Sequence, residues 1–339
     1  MKGAVFHGLG HGLTIETLPD PKPGPAELVL RVKACGICGS DLHATALPPG
    51  LPAGTVMGHE FAGEVVEVGS ELRGSWKVGD RACALPCIGC GKCRACLDGD
   101  TILCSSLRAT GLGQIPGAYA ELVLTGGSES LRLPAGVSFR EGALVEPLAV
   151  GLHAVNQARL APGERVMVIG AGPIGLAVTA WARFFGARAV VVNERAPGRL
   201  ALAEHFGATA VADVSKQDPV TVFQKEAGGP PDVIFECVGV PGLLQQCIGM
   251  ARARGRVVVV GVCMQPDMIF PAMAIIKEVE LRFVVAYHKR DFELAIEMLD
   301  RGRIAGRDMI TDVVDLSAFP AAFEALKTPT HQCKVMLEP

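Results

Sequence analysis

Short apolar runs separated by turn residues fill the first 150 residues of the chain. Residues 28–32 and 61–68 are apolar at most positions, and a glycine follows the second run, as is typical of strands. A third strand is expected within residues 77–82, after a turn. The proline-rich residues 19–25 cannot form a central strand, because proline lacks the amide hydrogen that a ladder needs. We therefore expect this part of the chain to consist mainly of short strands and turns.

From about Pro147 onward, apolar runs alternate with helical patterns. The runs that predict buried strands are residues 165–169, 189–193, 232–237 and 257–260. Residues 197–206 have the pattern of a helix that ends at Gly207. Strands alternating with helices predict a parallel sheet covered on both faces, in an α/β fold. After about Val285 the pattern returns to helices and short strands, including an amphipathic helix over residues 292–299.

Composition excludes several classes of protein. For 339 residues, a prior of about 150 residues per domain predicts two domains. The net charge of −3 gives no general attraction to nucleic acid or to an anionic membrane, and 5% aromatic residues are few for a protein that stacks on bases. The uncharged residues 166–182 are slightly too short for a membrane helix and contain Pro173. They predict a strand, a turn and a buried helix instead.

Six of the twelve cysteines lie between Cys83 and Cys104, and the others are scattered. A disulfide scaffold is usually short and secreted, whereas this chain is long and its first residues show no leader pattern. We therefore expect metal-bound thiolates and a reducing, cytoplasmic location.

Four closely spaced cysteines, Cys90, Cys93, Cys96 and Cys104, predict a metal site. Four thiolates can close a tetrahedral zinc site with no open position, which is the chemistry of a structural zinc. Cys87 lies three residues before Cys90, so a quartet with Cys87 in place of Cys104 is also conceivable. An iron–sulfur cluster is the competing interpretation, because similar spacings bind such clusters.

A glycine-rich turn follows the first apolar run of the second part of the chain. Gly170, Gly172 and Gly175 have the spacing G-x-G-x-x-G, with Pro173 and Ile174 between the last two glycines. Glycines at this spacing permit a tight turn, the approach of a pyrophosphate and the close packing of a helix on a strand. The unpaired amides of the helix N-terminus then face the phosphates. The turn predicts a dinucleotide site.

The residues about 20 positions further on bear on which dinucleotide binds. Glu194 ends the next predicted strand, where a carboxylate can accept hydrogen bonds from ribose hydroxyls and repel a 2′-phosphate. Arg195 and Arg199 could attract that phosphate, or could simply be solvated residues at the start of a helix. We expect NAD, with NADP as the alternative.

A second set of metal-binding side chains lies nearer the N-terminus. Cys38, His59 and Glu60 offer a sulfur, an imidazole and a carboxylate. This donor set suits a zinc ion with an open or water-filled position, which is typical of catalytic zinc. Each of these residues alone has an ordinary structural explanation. Their occurrence together with a nucleotide-binding pattern is what favours a metal site.

These motifs occur together in the order found in one family. The stretch from Cys38 to His43, the Gly58-His59-Glu60 triplet, the cysteine lobe and residues 168–175 resemble the zinc-dependent medium-chain dehydrogenases. Residues 146–150 and 235–239 resemble the branch that acts on polyols such as sorbitol, on threonine and on butanediol. The resemblance covers essentially the whole chain.

The resemblance implies a role for each candidate residue. Cys38, His59 and Glu60 match ligands of the catalytic zinc, and Glu146 falls where classical alcohol dehydrogenases place a cysteine ligand, binding zinc directly or through water. Ser40 and His43 match the relay that carries the substrate proton away. The positions that match the structural zinc and the cofactor fingerprint are Cys90, Cys93, Cys96, Cys104, Gly170, Gly172, Gly175, Glu194 and Arg199.

The implied architecture has two domains. Residues 1–148, with a metal lobe at about 87–104, and the return segment 286–339 would form a GroES-like, β-rich catalytic domain. Residues 149–285 would form a Rossmann-type, doubly wound nucleotide-binding domain, with the active site in the cleft between the two. The family generally forms dimers or tetramers, so we expect a homo-oligomer.

The implied activity is reversible hydride transfer between a secondary alcohol or polyol and NAD. An L-threonine or sugar dehydrogenase, or a zinc-bearing nucleotide-binding protein without turnover, is the alternative. A zinc-free quinone reductase would lack the donor set, and a non-enzymatic nucleotide sensor would not need Ser40 and His43. One departure concerns the substrate, because Val285-Ala286-Tyr287 lacks the arginine that polyol enzymes often carry just before the tyrosine. That change removes a polar anchor for a multiply hydroxylated substrate and a possible partner of Glu146.

Overall fold

The computed structural model describes residues 1–329 and 331–339. The strands within these residues are β1 Lys2–Phe6, β2 Thr14–Thr17, β3 Glu27–Gly36, β4 Thr55–Val56, β5 Glu60–Val68, β6 Arg81–Ala84, β7 Cys87–Ile88, β8 Arg108–Ala109, β9 Leu122–Gly126, β10 Ser130–Arg132, β11 Arg165–Ile169, β12 Ala189–Glu194, β13 Ala210–Asp213, β14 Val233–Glu236, β15 Arg256–Val259, β16 Glu280–Phe283, β17 Ile310–Val314 and β18 Lys334–Leu337. The helices are α1 Gly39–Ala46, α2 Arg94–Leu97, α3 Phe139–Gln157, α4 Pro173–Phe184, α5 Pro197–His205, α6 Pro219–Ala227, α7 Leu243–Met250, α8 Pro271–Lys277, α9 Lys289–Asp300 and α10 Phe319–Ala325.

The strands predicted from the apolar runs are confirmed. Residues 28–32 and 61–68 fall within β3 and β5, and β6 contains the end of the third predicted run. The four runs of the second part are β11, β12, β14 and β15, and the predicted helices are α5 and α9. No helix among the described residues is long and apolar enough to cross a membrane, and the uncharged residues 166–182 divide into β11, the glycine turn and most of α4.

The chain folds into two compact units. Residues 1–146 and 287–339 form the first unit, and residues 147–286 form the second. Helix α3 crosses the first boundary and contains Pro147 at that point.

The first unit is rich in β-structure. Its largest sheet has seven strands in the order β10-β6-β5-β3-β18-β17, with β9 also paired to β3. The ten-residue β3 is the hub of this sheet, since it pairs antiparallel with β5, β9 and β18. A smaller sheet has the order β2-β1-β4. A hydrophobic core formed by residues of both sheets includes the buried aromatic side chains of Phe6, Phe61, Tyr119, Phe319 and Phe323.

The second unit is built around a six-stranded parallel sheet. Its strand order is β13-β12-β11-β14-β15-β16, which is the 3-2-1-4-5-6 order of a dinucleotide-binding fold. The strand order reverses between β11 and β14, and ligands of such sheets bind beyond the carboxyl ends of the strands at this point. The glycine turn follows β11 and therefore lies at that position.

Candidate functional site

The first metal-binding set is assembled by the end of β3 and the start of β5. Glu60 is the first residue of β5 and pairs with Gly36, the last residue of β3. Cys38 follows β3 closely and is the N-cap residue of α1. The strand register therefore brings together residues more than 20 positions apart. The candidate ligand atoms of Cys38, His59 and Glu60 all lie within 4.8 Å of one another.

The imidazole of His59 lies beside a buried carboxylate. Its Nδ1 lies 3.4 Å from Oδ1 of Asp41, and the hydroxyl of Tyr119 donates a hydrogen bond to the other Asp41 oxygen at 2.5 Å. Burial lowers the pKa of His59, but the negative charges of Asp41 and Cys38 outweigh it and raise that pKa well above its usual value. A carboxylate behind a histidine is the usual support of a metal-binding imidazole. The donor set thus fits a zinc ion.

The candidate relay residues both lie in α1, Ser40 in its first turn and His43 in its last turn. The hydroxyl of Ser40 donates to Sγ of Cys38 at 3.2 Å, so it stands directly beside a candidate ligand. His43 is three residues further along the helix, and residues at this spacing share a helix face. Ser40 is exposed and His43 is half-buried. The structure therefore places Ser40 beside Cys38 and His43 on the same face of the helix.

Glu146 has a buried partner that the sequence did not indicate. It lies in α3, outside the group of three ligand atoms, and the hydroxyl of Tyr287 donates to its Oε1 at 2.9 Å. Burial is the main cause that raises the pKa of Glu146 to about 7, and the bond from Tyr287 opposes this rise. The arginine that could have been a partner of Glu146 is absent, and the hydroxyl of Tyr287 is instead the hydrogen-bond donor to this carboxylate.

The cysteine lobe brings four sulfurs together. The Sγ atoms of Cys90, Cys93, Cys96 and Cys104 lie within 4.8 Å of one another, and Cys87 is not in this group. Backbone amides of Lys92 and Cys93 lower the pKa of Cys90 to about 6, whereas burial raises the pKa of Cys87 to about 12. Cys90 belongs to both candidate quartets, so the choice rests on position, and the sulfur of Cys104 is the one that lies with those of Cys90, Cys93 and Cys96.

The glycine turn is tight and leaves open space at its second glycine. Gly170 has a φ of +95°, and a Cβ atom on Gly175 would lie 1.9 Å from the carbonyl oxygen of Gly170. Both positions thus require glycine for the fold itself. A Cβ on Gly172 would meet no protein atom within 4 Å, so the fold leaves open space there. Pro173 and Ile174 begin α4, whose N-cap residue Gly172 supplies no side-chain cap.

Glu194 lies next to this turn. Its Oε2 accepts a hydrogen bond from the amide of Ala171 at 3.0 Å, and its Oε1 accepts from the amides of Arg195 and Ala196 at 2.7 and 3.1 Å. These bonds fix the carboxylate beside the glycine turn. The side chain of Arg195 is exposed, and Arg199 is half-buried.

Sequence reasoning missed the residues that support the candidate ligands. Asp41, Tyr119, Tyr287 and Lys334 are all buried, and their partners lie in distant parts of the chain. A carboxylate inside the Cys38–His43 motif was a possible signal for Asp41. The register of distant strands places Lys334, while Tyr119 and Tyr287 lie in connecting segments far along the chain from their partners, and a single sequence reveals neither arrangement.

Two family models match the chain. An alcohol dehydrogenase GroES-like domain matches residues 24–135, and a zinc-binding dehydrogenase domain matches residues 173–301. Sorbitol dehydrogenase of Bacillus subtilis (strain 168) is 32% identical, in a comparison that covers 100% of this chain and 97% of that relative.

Solved structures of dehydrogenases are also similar to this chain. The crystal structure of 2R,3R-butanediol dehydrogenase from Bacillus subtilis has a TM-score of 0.89 and 33% identity, covering 100% of this chain and 99% of that one. A zinc-binding dehydrogenase from Sinorhizobium meliloti 1021, solved with NADP bound, has a TM-score of 0.87 and 32% identity, covering 100% and 99%. The chain therefore belongs to the zinc-dependent medium-chain dehydrogenases and is an oxidoreductase with a GroES-like domain and a Rossmann-type domain.

Proposed function

We propose that this dehydrogenase oxidises a secondary alcohol or polyol to the ketone and transfers the hydride to NAD. Residues 1–148 with 286–339 act as the catalytic domain, and residues 149–285 bind the cofactor. The observation that carries the proposal is the convergence of Cys38, His59 and Glu60 within 4.8 Å, with Ser40 in contact with Cys38. A structural metal site needs no proton acceptor beside it, whereas alcohol oxidation does.

Cys38, His59 and Glu60 hold the catalytic zinc in this proposal, and Glu146 is a further carboxylate available to it. When bound, zinc supplies a Lewis acid that makes deprotonation of the alcohol accessible near neutral pH. Asp41 keeps the His59 ring in place through Nδ1, which leaves Nε2 for the metal. Ser40 accepts the substrate proton and His43 passes it on. Cys90, Cys93, Cys96 and Cys104 hold a second, structural zinc.

The preference for NAD rests on Glu194. Backbone amides hold its carboxylate beside the glycine turn, where it disfavours a 2′-phosphate. One neighbour of similar fold was solved with NADP bound, and in this chain Arg195 is the side chain that could attract the 2′-phosphate. Arg195 is exposed, so its side chain can turn into solvent. We therefore expect the repulsion of the 2′-phosphate by Glu194 to outweigh its attraction by Arg195.

The substrate class follows from the relatives and from one departure. Sorbitol and butanediol dehydrogenases are among the similar proteins. In this chain Ala286 precedes Tyr287, and Tyr287 binds Glu146. Without an arginine at that position we expect small secondary alcohols and vicinal diols to be better substrates than hexitols.

The test is a screen of NADH formation with secondary alcohols, vicinal diols, hexitols and L-threonine, each with NAD and with NADP. Turnover of a secondary alcohol or diol with NAD supports the proposal. A preference for L-threonine selects the alternative dehydrogenase activity. A correctly folded, zinc-loaded protein that oxidises none of them contradicts the proposal.

A second copy of this chain is the partner that fits an exposed apolar face of the second unit. The face contains Met268, Phe270, Ile275, Ile276 and Phe283, which are 68–87% exposed. It adjoins β16, an edge strand of the parallel sheet. Exposed apolar patches beside a free strand edge are typical of association sites.

The charges along β16 favour pairing with itself. In an antiparallel pairing centred on Leu281, Glu280 of each chain stands opposite Arg282 of the other. Ile276→Lys should therefore lower the molar mass measured by light scattering to that of the monomer or of a smaller assembly. Val78→Lys, at an isolated exposed position, should leave the mass unchanged. A wild-type protein with the molar mass of a monomer would contradict this proposal.

We propose a cytoplasmic location on the basis of the thiol chemistry. Four sulfurs gathered for a metal require a reducing compartment to remain thiolates. Localisation of a tagged chain by cell fractionation tests this directly.

A further inference from the structure

Lys334 is a fully buried lysine whose ammonium group contacts two segments that carry candidate zinc ligands. It is 1% exposed, and its Nζ lies 2.7 Å from Oε1 and 2.6 Å from Oε2 of Glu60, which is itself 0% exposed. Nζ also donates to the carbonyl oxygen of Ile37 at 2.9 Å. Ile37 directly precedes Cys38. One side chain from the last strand thus holds both the Glu60 carboxylate and the backbone next to Cys38.

The surrounding strands are shaped for this contact. β18 carries Lys334 and pairs with β3 through Met336 and Gly36, while β5 places Glu60 opposite the same Gly36. A Cβ on Gly36 would lie 2.1 Å from Oε2 of Glu60 and 3.1 Å from Cδ of Lys334. Glycine at this position therefore makes the room that the ion pair occupies. The contact is built into three strands, not a chance approach of two flexible side chains.

We propose that Lys334 is a positioning residue that competes with the catalytic zinc for the Glu60 carboxylate and so limits how tightly the site holds its metal. This inference rests on the proposed function, because it takes Glu60 as a ligand of that metal. Both Glu60 oxygens contact Lys334, and one of them also belongs to the donor group with Cys38 and His59. The same carboxylate thus serves the ammonium group and the metal.

The direction of the effect follows from charge. Cys38, Glu60, Glu146 and Asp41 place acidic groups around the donor group, and Lys334 adds a positive charge to it. A positive charge close to a cation site weakens cation binding, and more strongly where the side chains are buried. Removing the ammonium group also frees both Glu60 oxygens for the metal. Lys334→Met should therefore slow the loss of this zinc by about tenfold or more.

A purely structural role predicts the opposite result. Removing one member of a buried ion pair leaves a buried charge without its partner and destabilises the fold. A loosened site releases its metal faster. The rate of zinc release thus separates the two roles even if both lower the melting temperature.

The experiment follows zinc release from the holoenzyme to a chromophoric chelator. The phase that is absent in Cys38→Ser is assigned to the site of Cys38, which separates it from release by the cysteine lobe. We expect Lys334→Met to slow this phase by about tenfold or more. Lys334→Arg should release zinc at the wild-type rate, because it keeps the positive charge. Lys327→Met is the matched control, since Lys327 pairs with Glu324 on the surface. It should change nothing.

The outcomes distinguish the inference from the function on which it rests. If wild type has no release phase that depends on Cys38, the proposed metal centre is wrong and the inference is wrong with it. If that phase exists and Lys334→Met leaves it unchanged or makes it faster, the centre stands and the competition is refuted. Should Lys334→Met not fold, Lys334→Gln keeps a hydrogen-bond donor to Glu60 without the charge, and the same slowing is expected.

Discussion

The hydroxyl of Tyr287 donates a hydrogen bond to Oε1 of Glu146 at 2.9 Å, across 141 positions of the sequence. Both side chains are buried, and the ring of Tyr287 also packs edge-on against Phe292 at 4.7 Å between centroids. The position before Tyr287 is Ala286, with a φ of +49°. In this chain the tyrosine therefore orients the Glu146 carboxylate of α3.

Tyr287→Phe removes this hydrogen bond and keeps the ring. A hydrogen bond to a charged buried group contributes about 1.5–3 kcal/mol, so we expect a free energy of unfolding lower by about that amount. Because Glu146 then loses its orientation, kcat for the alcohol should fall while the KM for NAD stays unchanged. Urea unfolding and steady-state kinetics measure both. An unchanged kcat would show that Glu146 needs no orientation by Tyr287.

The cysteine lobe allows a prediction in which Cys87, outside the group of four sulfurs, serves as the control for Cys93. Cys93→Ser should lose one zinc per chain and lower the melting temperature, because a structural zinc contributes folding free energy. Cys87→Ser should retain both zinc ions, since Cys87 lies outside the group of four sulfurs. Elemental analysis of the purified variants decides between the two quartets. Loss of zinc in Cys87→Ser would favour the quartet that includes it, and iron in place of zinc would favour a cluster.

Two glycines of the same turn should respond differently to alanine. Gly175→Ala should destabilise the protein by about 1–3 kcal/mol, because its Cβ would lie 1.9 Å from the oxygen of Gly170. Gly172→Ala should change stability by less than about 0.5 kcal/mol, because its Cβ meets no protein atom within 4 Å. It should nevertheless weaken binding of NADH in a fluorescence titration. Wild-type affinity in Gly172→Ala would place the pyrophosphate elsewhere.

Cofactor choice depends on Glu194. Glu194→Ala should shift the ratio of kcat/KM values toward NADP, because the repulsion of the 2′-phosphate is removed. Arg195→Ala is the matched control and should shift the ratio toward NAD, or leave it unchanged if its side chain stays in solvent. A wild type that prefers NADP, or a ratio that does not move in Glu194→Ala, would refute the assignment.

The sequence predicts the parts of this fold whose signals are local. The apolar runs predict β11, β12, β14 and β15, and their alternation with helices predicts the parallel sheet. The spacing of the glycines and of the cysteine quartet likewise lies within short segments. The glycine motif and the cysteine quartet are each complete within about 20 residues, so a single sequence contains them.

The support of the candidate metal site could not be predicted in the same way. Lys334 and Glu60 are 274 positions apart, and they meet because β18 and β5 both pair with β3. A lysine in a short C-terminal strand normally predicts a solvated side chain. Only the register of distant strands shows that this lysine is buried against a candidate ligand.

The most direct test of the account compares wild type with Cys38→Ser in steady-state NADH formation, with zinc content measured on the same samples. Zinc acting as a Lewis acid contributes several kcal/mol to the transition state, so we expect Cys38→Ser to lose about a thousandfold or more in kcat. It should retain the zinc of the cysteine lobe and bind NADH with wild-type affinity. A Cys38→Ser variant that oxidises the same alcohol at a rate close to wild type would contradict the proposal that Cys38 holds the metal on which the reaction depends.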